Sequence, residues 1–280
     1  MNLLLLESDE LDHPIPYSDR RARHVREVLR AQPGDTLAVG VVEGPKGVAR
    51  IAEHSREAGL VLSDMHFQPA QVPTDSLYPV TMLIGHVRPI VLKRLLKDLT
   101  TIGVERIVIV PGELGEKSYL QSTMWTDGSV RRQLIEGASQ GGVTGLPAVE
   151  RLHSLRGALA ALPEGALAEG LHADGGWVDG APPEGGRVLR LHLAPAGTPI
   201  ARVLTPAASA PGAHGAPGAL EGIERAIVAV GPERGFTPAE EAELEAAGFE
   251  AASLGSRVLR TESAALLAAG MVSRILWAAT

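Results

Sequence analysis

The sequence predicts an α/β protein: a small strand-rich unit over residues 1–73, then a mostly parallel sheet with helices on both faces over residues 77–280. Three observations carry that expectation. Short runs with the two-residue alternation of strands, separated by turn residues, fill the first part of the chain. Beyond a proline-bearing linker, apolar runs alternate with segments of helical spacing. Near the C-terminus a buried strand opens into a glycine-bracketed loop and then a helix, the arrangement in which open α/β sheets bind ligands.

In the first unit, Pro33-Gly34 signals a turn and residues 35–42 follow as a strand. Gly44-Pro45-Lys46-Gly47 is a second turn, residues 48–52 resume the alternation, and 59–62 read as one more short strand. Pro69 and Pro73 mark a linker over residues 68–76. Residues 80–85 form the next strand. Ile90, Leu92, Leu95, Leu96 and Leu99 then give Pro89–Ile102 helical spacing, and Gly103 ends the helix. Residues 105–110 are a β-branched strand stopped by Pro111-Gly112. Residues 129–139 are helical, 188–193 and 226–230 are strands, 238–247 a helix and 262–277 a long final helix. Residues 205–222, rich in Ala, Pro and Gly, are expected to be a flexible surface insertion.

The composition, 45% hydrophobic and 21% charged over 280 residues, suits a globular chain with an ample core. With no cysteine, disulfides, zinc–thiolate sites and cysteine nucleophiles are excluded. No apolar run approaches the roughly 20 residues of a membrane span. Residues 1–7 lack the basic start of a signal peptide, so a cytoplasmic protein is expected. The net charge of −7 argues against general affinity for nucleic acid, but its distribution is uneven. Residues 1–75 hold 8 basic and 12 acidic side chains, and five of the basic ones, Arg20, Arg21, Arg23, Arg26 and Arg30, fall within eleven residues. On a helix, Arg23, Arg26 and Arg30 share one face and can neutralise phosphates. A solvated face beside acidic neighbours gives the same pattern.

Two apparent sites fail. Gly137-Ala138-Ser139-Gln140-Gly141 matches the nucleophile elbow of hydrolases, but that elbow needs a preceding strand, and Val130, Leu134 and Ala138 repeat with helical spacing. No two of the nine histidines are three or four residues apart, which removes a helical metal pair; His192 reads as a strand residue, and no metal is expected. No triphosphate loop and no dinucleotide fingerprint occurs.

The chemistry-bearing stretches lie at residues 230–236 and 253–262. Gly231 and Gly235 bracket the first loop, and Thr237-Pro238-Ala239-Glu240 begins the following helix with a capping box. In the second, Leu254, Val258 and Leu259 can make an apolar slot, Gly255 admits backbone contact, and Thr261 is expected to cap the last helix. Two ordinary βα loops would read the same way.

Those stretches resemble the C-terminal signature of the RsmE-like methyltransferases, which pair a G-P-E-G-G loop with an L-G-x-R-[IV]-L-R-x-E-[TS]-A loop. The match runs through Gly231, Pro232, Glu233 and Gly235, then Leu254, Gly255, Arg257, Val258, Leu259, Arg260, Glu262, Ser263 and Ala264. His24, Val28-Leu29-Arg30 and Gly34-Asp35 are similar to the family's PUA-like RNA-binding β-barrel. The resemblance implies a SPOUT-class domain with a trefoil knot, a bound S-adenosyl-L-methionine, a homodimer, and methylation of N3 of a uridine in 16S ribosomal RNA. It places Ile84, Gly85, Val230, Gly231, Pro232, Glu233, Gly235, Leu254, Gly255, Val258, Leu259 and Thr261 around the cofactor. Arg257 and Arg260 become the catalytic candidates, and Arg234 joins the N-terminal arginines as an RNA contact. A cation near the base favours loss of its N3 proton, and Gly231→Arg is expected to abolish cofactor binding with the fold intact.

The chain departs from the family pattern in its middle. Arg234 replaces a usual Gly, Leu114 follows Glu113 where an E-R-S-like turn is usual, and Ser139-Gln140-Gly141-Gly142-Val143 replaces E-Q-x-x-R. Lys117, Arg131, Arg132 and Arg234 are candidates to compensate. The alternatives are an RNA-binding or ribosome-assembly protein of this fold without catalysis, and a methyltransferase with another ribosomal RNA base as target.

Overall fold

The computed structural model describes residues 2–68, 77–162, 169–171, 177–178, 187–204 and 223–278. The strands are β1 (Leu4–Leu6), β2 (Thr36–Val41), β3 (Lys46–Ser55), β4 (Gly59–Phe67), β5 (Tyr78–Gly85), β6 (Val104–Val110), β7 (Ala148–Arg151), β8 (Glu169–Leu171), β9 (Trp177–Val178), β10 (Arg187–Pro199), β11 (Ile223–Val230) and β12 (Glu250–Ser253). The helices are α1 (Arg20–His24), α2 (Pro89–Ile102), α3 (Ser129–Gly141), α4 (Leu155–Ala161), α5 (Ile200–Val203), α6 (Pro238–Ala246) and α7 (Thr261–Ala278). The chain divides into two compact units, Met1–Ser76 with Val130–Leu146, and Leu77–Ser129 with Pro147–Thr280. The expected linker at 69–76 and insertion at 205–222 lie outside the described residues.

The first unit is built on a four-stranded sheet ordered β1-β2-β3-β4, in which β1 pairs parallel with β2 and the other pairings are antiparallel. Leu4, Leu6, Val39, Ala49, Ile51 and Leu60 form its core, with Ile15, Ala22 and Val25 packed onto them. Helix α3 belongs to this unit: Ala138 packs with Leu3, Leu5 and Val42, and the Ser139 hydroxyl donates to the Leu3 carbonyl. Ser139 is thus a buried helical residue tied to the backbone, as the rejection of the elbow requires.

The arginine stripe does not form as the sequence suggested. After α1 the chain widens into a π-turn over Val25–Leu29, and Arg30 leaves it with φ 54°. A π-turn closes i→i+5 bonds, so residues three and seven apart no longer share a face. Arg21 is structural: its guanidinium bonds Glu10 at 2.6 Å, Asp19 at 3.0 Å and the Leu5 carbonyl at 3.0 Å. Arg20 pairs with Glu136 at 3.3 Å, and Arg131 with Glu7 at 2.8 Å. Arg23 and Arg30 are exposed.

The second unit has a six-stranded sheet ordered β12-β10-β11-β5-β6-β7, and every pairing in it is parallel. Parallel strands need cover on both faces. On one face Leu83, Val108, Ile227 and Ala229 pack with Leu155 and Ala158 of α4 and Leu244 of α6. Helix α7 packs against β5, β11 and α2, which buries Leu92, Leu95, Leu96 and Leu99. Each such leucine contributes about 2 kcal/mol. Gly103, at φ 95°, ends α2 as expected. No helix among the described residues is long and apolar enough to cross a membrane.

Candidate functional site

The middle of β10 and the C-terminal ends of β11 and β12 border a cleft of about 300 Å³, lined by Leu193, Ala194 and Pro195, by residues 230–235, and by a third group running from Ala252 to Ala264. This volume falls at the lower end of the roughly 300–1,000 Å³ of small-molecule sites. Val230, Gly231, Pro232, Glu233, Arg234, Gly235, Leu254, Gly255, Arg257, Val258, Leu259 and Thr261 all line it. Two loops chosen on sequence grounds, about twenty residues apart, therefore meet.

What joins them is Thr261. It is the first residue of α7, and its buried hydroxyl donates to the Gly231 carbonyl at 3.1 Å. The sequence suggested that Thr261 caps the helix. The cap position falls instead on Arg260, whose carbonyl accepts from the Ala264 amide, which frees the Thr261 side chain to reach the other loop. Arg260 is exposed and does not line the cleft, unlike Arg257.

The first loop is fixed from behind. Thr237 and Glu240 form the expected capping box, with Pro238 at the first turn. The buried Glu240 carboxylate also accepts from the Glu113 amide at 2.9 Å, and the Thr237 hydroxyl donates to Glu113 at 2.9 Å. Gly85 packs against this loop and does not line the cleft: a Cβ there would lie 2.3 Å from Pro232. Ile84 is fully buried, between Val230 and Ile109 on the neighbouring strands, and does not line the cleft. The Arg88 amide donates to Glu233 at 3.2 Å, so the turn after β5 holds this loop in place without lining the cleft.

The two bracketing glycines do different work. Gly235 has φ 76°, closes a turn through its amide to the Pro232 carbonyl, and a Cβ there would meet nothing within 4 Å. A Cβ on Gly231 would lie 2.7 Å from the backbone of Gly235 and Phe236. Gly231→Arg would therefore force this loop apart, and the expectation that it spares the local fold is corrected.

Sequence reasoning missed the third wall. Leu193 and Thr198 of β10 both face Ala252 of β12, so residues 194–197 bulge out of the strand over the cleft. Ala194-Pro195-Ala196-Gly197 was the available signal, because Pro and Gly inside a strand mark bulges. Gly197 is needed there, since its Cβ would lie 2.6 Å from the Ala252 amide. Beside the cleft, at the end of β5, His86 is buried near Tyr119 and Trp125, with ring centroids 6.1 Å away in each case; burial lowers its pKa. His192 is a buried strand residue, as expected, and burial lowers its pKa as well. Among the described residues no cluster of His, Asp or Glu could hold a metal ion.

A family model described as "RNA methyltransferase domain" matches residues 74–178 and 196–273. The chain belongs to this family. Over 275 residues it is 31% identical to the ribosomal RNA small subunit methyltransferase E of Treponema pallidum (strain Nichols), covering 97% of this chain and 90% of that one. The ribosomal RNA small subunit methyltransferase E 1 of Borreliella burgdorferi is 28% identical over 272 residues, covering 96% and 95%. A crystal structure of a ribosomal RNA small subunit methyltransferase E from Neisseria gonorrhoeae, bound to S-adenosyl methionine, superposes with a TM-score of 0.64 at 19% identity over 98% of both chains. That likeness concerns the fold.

Proposed function

We propose that this chain is an S-adenosylmethionine-dependent methyltransferase of small-subunit ribosomal RNA, with N3 of a uridine in 16S RNA as its target. The observation that carries the reading is the cleft itself, built by the two loops that resemble the family signature and joined through Thr261 and Gly231. Its residues fit the cofactor. Leu193, Leu254 and Leu259 offer an apolar wall for an adenine, and Gly235 and Gly255 leave backbone groups open to it. Glu233 and Arg257 supply charges suited to a zwitterionic amino-acid tail. When bound, the cofactor supplies an electrophilic methyl group.

The protein's share of the chemistry is placement and charge. Uridine N3 is nucleophilic only after losing its proton, and the exposed guanidiniums of Arg234 and Arg257 at the cleft favour the anionic base. Holding base and methyl donor in one cleft supplies much of the remaining acceleration.

The finer architecture follows the same reading. We take the loops at 231–237 and 254–260 as the parts of a trefoil knot, and the mixed sheet of the first unit as a PUA-like barrel that binds RNA. Val258 is 94% exposed and Leu267 45%, which supports a homodimer in which a second copy covers them. Ribosomal RNA as substrate also puts the protein in the cytoplasm.

The test has two arms. Calorimetry with S-adenosylmethionine should show binding to the isolated protein, and absence of binding would leave the non-catalytic RNA-binding reading. Nucleoside mass mapping of 16S RNA from a strain lacking the gene should show loss of one 3-methyluridine, restored by the added enzyme. Loss of a different methylated base would move the target.

A further inference from the structure

In the N-terminal unit, segments far apart in sequence converge on the ring of Tyr17. The Arg26 guanidinium lies over its face, 4.0 Å from the centroid, and the Arg56 guanidinium approaches to 5.9 Å. His54 meets the same ring edge-on, with centroids 5.9 Å apart. The fold fixes this meeting. Ile15 and Leu60 exchange backbone hydrogen bonds of 2.9 and 2.8 Å, which pins the segment carrying Tyr17 to the β3–β4 turn carrying Arg56. Gly59, at φ 78°, permits it, since a Cβ there would lie 2.4 Å from the Ile15 carbonyl oxygen. Arg26 sits on the π-turn that follows α1, a helix anchored by the Arg21 ion pairs.

The charges gathered here are not balanced from within. Glu27 pairs with Arg26 Nη2 at 2.8 Å, but Glu27 is 57% exposed and that pair is weakened by salt. Arg26 Nη1 and His54 Nε2 are buried without a hydrogen-bond partner. Arg56 forms no ion pair among the described residues. Burial first, and then the charge of Arg26, lowers the pKa of His54. Two guanidiniums held against one aromatic ring, beside an imidazole, suit an anion that offers several oxygens. Arg20 and Arg21, by contrast, are occupied by Glu136, Glu10 and Asp19.

We propose that Tyr17, Arg26, His54 and Arg56 form a phosphodiester subsite through which the N-terminal unit grips the backbone of its RNA substrate. The subsite rests on the ribosomal RNA reading given above, and it moves the contact from a helical arginine face to a cluster built by three segments.

The test is binding of a fluorescein-labelled oligouridylate to the full-length protein across a salt titration. Arg26→Gln and Arg56→Gln should each reduce the slope of log Kd against log salt by about 0.7, the value for one lost contact to a single strand. Tyr17→Leu, which removes the ring that orients Arg26, should weaken binding in the same direction, and Tyr17→Phe should not. Arg23→Gln, at an exposed arginine outside the cluster, should leave the slope within error. Unchanged slopes in the Arg26 and Arg56 variants would overturn the proposal, and so would an equal loss with Arg23→Gln, which would mean a diffuse field. Inorganic phosphate compared with chloride at matched ionic strength separates the two sources of the anion. If phosphate binds at the cluster and leaves the RNA affinity unchanged, the site serves a free anion and the assignment to RNA fails. Calorimetry with S-adenosylmethionine on the same proteins reads the cleft independently, so failure of the methyltransferase reading is seen separately.

Discussion

Replacing Thr261 by Val is the sharpest perturbation of the cleft, because it preserves shape and removes one interaction. The hydroxyl is buried and donates to the Gly231 carbonyl at 3.1 Å, linking the loop after β11 to the start of α7. A net hydrogen bond of this kind is worth about 1 kcal/mol, and leaving a buried carbonyl unpaired raises the loss towards roughly 2–3 kcal/mol. For a domain of this size each kcal/mol lowers Tm by about 2–4 °C. The Tm should therefore fall by about 4–12 °C. The same loss leaves the two cofactor loops free to separate, so S-adenosylmethionine affinity should fall about tenfold or more, as 1.4 kcal/mol is a factor of ten. Thermal unfolding by circular dichroism and calorimetric titration read the two effects separately, and Thr261→Ser, which keeps the donor, should recover most of both. A Val variant that binds cofactor like the unaltered protein, or a Ser variant as impaired as Val, would refute the idea that this bond assembles the site.

The glycine pair gives a contrast within one loop. Gly231→Ala should cost cofactor affinity at least tenfold, because its Cβ meets backbone at 2.7 Å, whereas Gly235→Ala meets no atom and should cost only the roughly 1–2 kcal/mol of a left-handed residue; equal effects in calorimetry would contradict the packing argument. Arg106 and Glu150 pair at 2.7 Å across β6 and β7 with side chains only 7% and 9% exposed. Arg106→Met strands a buried carboxylate and should destabilise the protein by about 3–5 kcal/mol in urea unfolding, with partial recovery in the double variant carrying Glu150→Leu. The lowered pKa values of His86 and His192 both arise first from burial, so below the unfolded value of 6.5 the unfolded chain takes up protons that the folded chain refuses. Stability is therefore fully present above pH 6.5 and is lost as pH falls through that window towards the folded values. His86→Gln should flatten that slope by up to about 1.4 kcal/mol per pH unit, and a slope unchanged by the substitution would show that His86 titrates normally in the fold.

Much of the second unit was legible because its signals are local. Leu92, Leu95, Leu96 and Leu99 alternate with polar residues at helical spacing, and Gly103 must adopt φ 95°, so α2 is found at its observed bounds. The capping box at Thr237 and Glu240 is equally a matter of four adjacent residues. Several strands extend beyond the bounds their local sequence marks. Residues 48–52 proved to be part of Lys46–Ser55, and 59–62 part of Gly59–Phe67, because pairing across the sheet extends strands through residues such as Glu53, His54 and Asp64 that propensity disfavours. β1 and β12, of three and four residues, carry too few alternations to register as strands at all.

The site was legible where it depends on residue type and hidden where it depends on register. Glycines, prolines and a threonine before a helix mark the two loops, and both loops line the cleft. No periodicity shows that residues 194–197 leave β10, because the bulge exists only through the pairing of Leu193 and Thr198 with the same Ala252. The arginines show the opposite failure. Their spacing was read on a regular helix, and one π-turn over Val25–Leu29 was enough to take Arg30 off it and to leave Arg26 against Tyr17. A single turn of that kind leaves no mark in composition. Charge spacing along a chain therefore identifies which side chains are available to an RNA, and only the partners each one meets in the fold decide which remain free to bind it. By that criterion Arg21, the most deeply paired of the five, is the one least able to touch a phosphate.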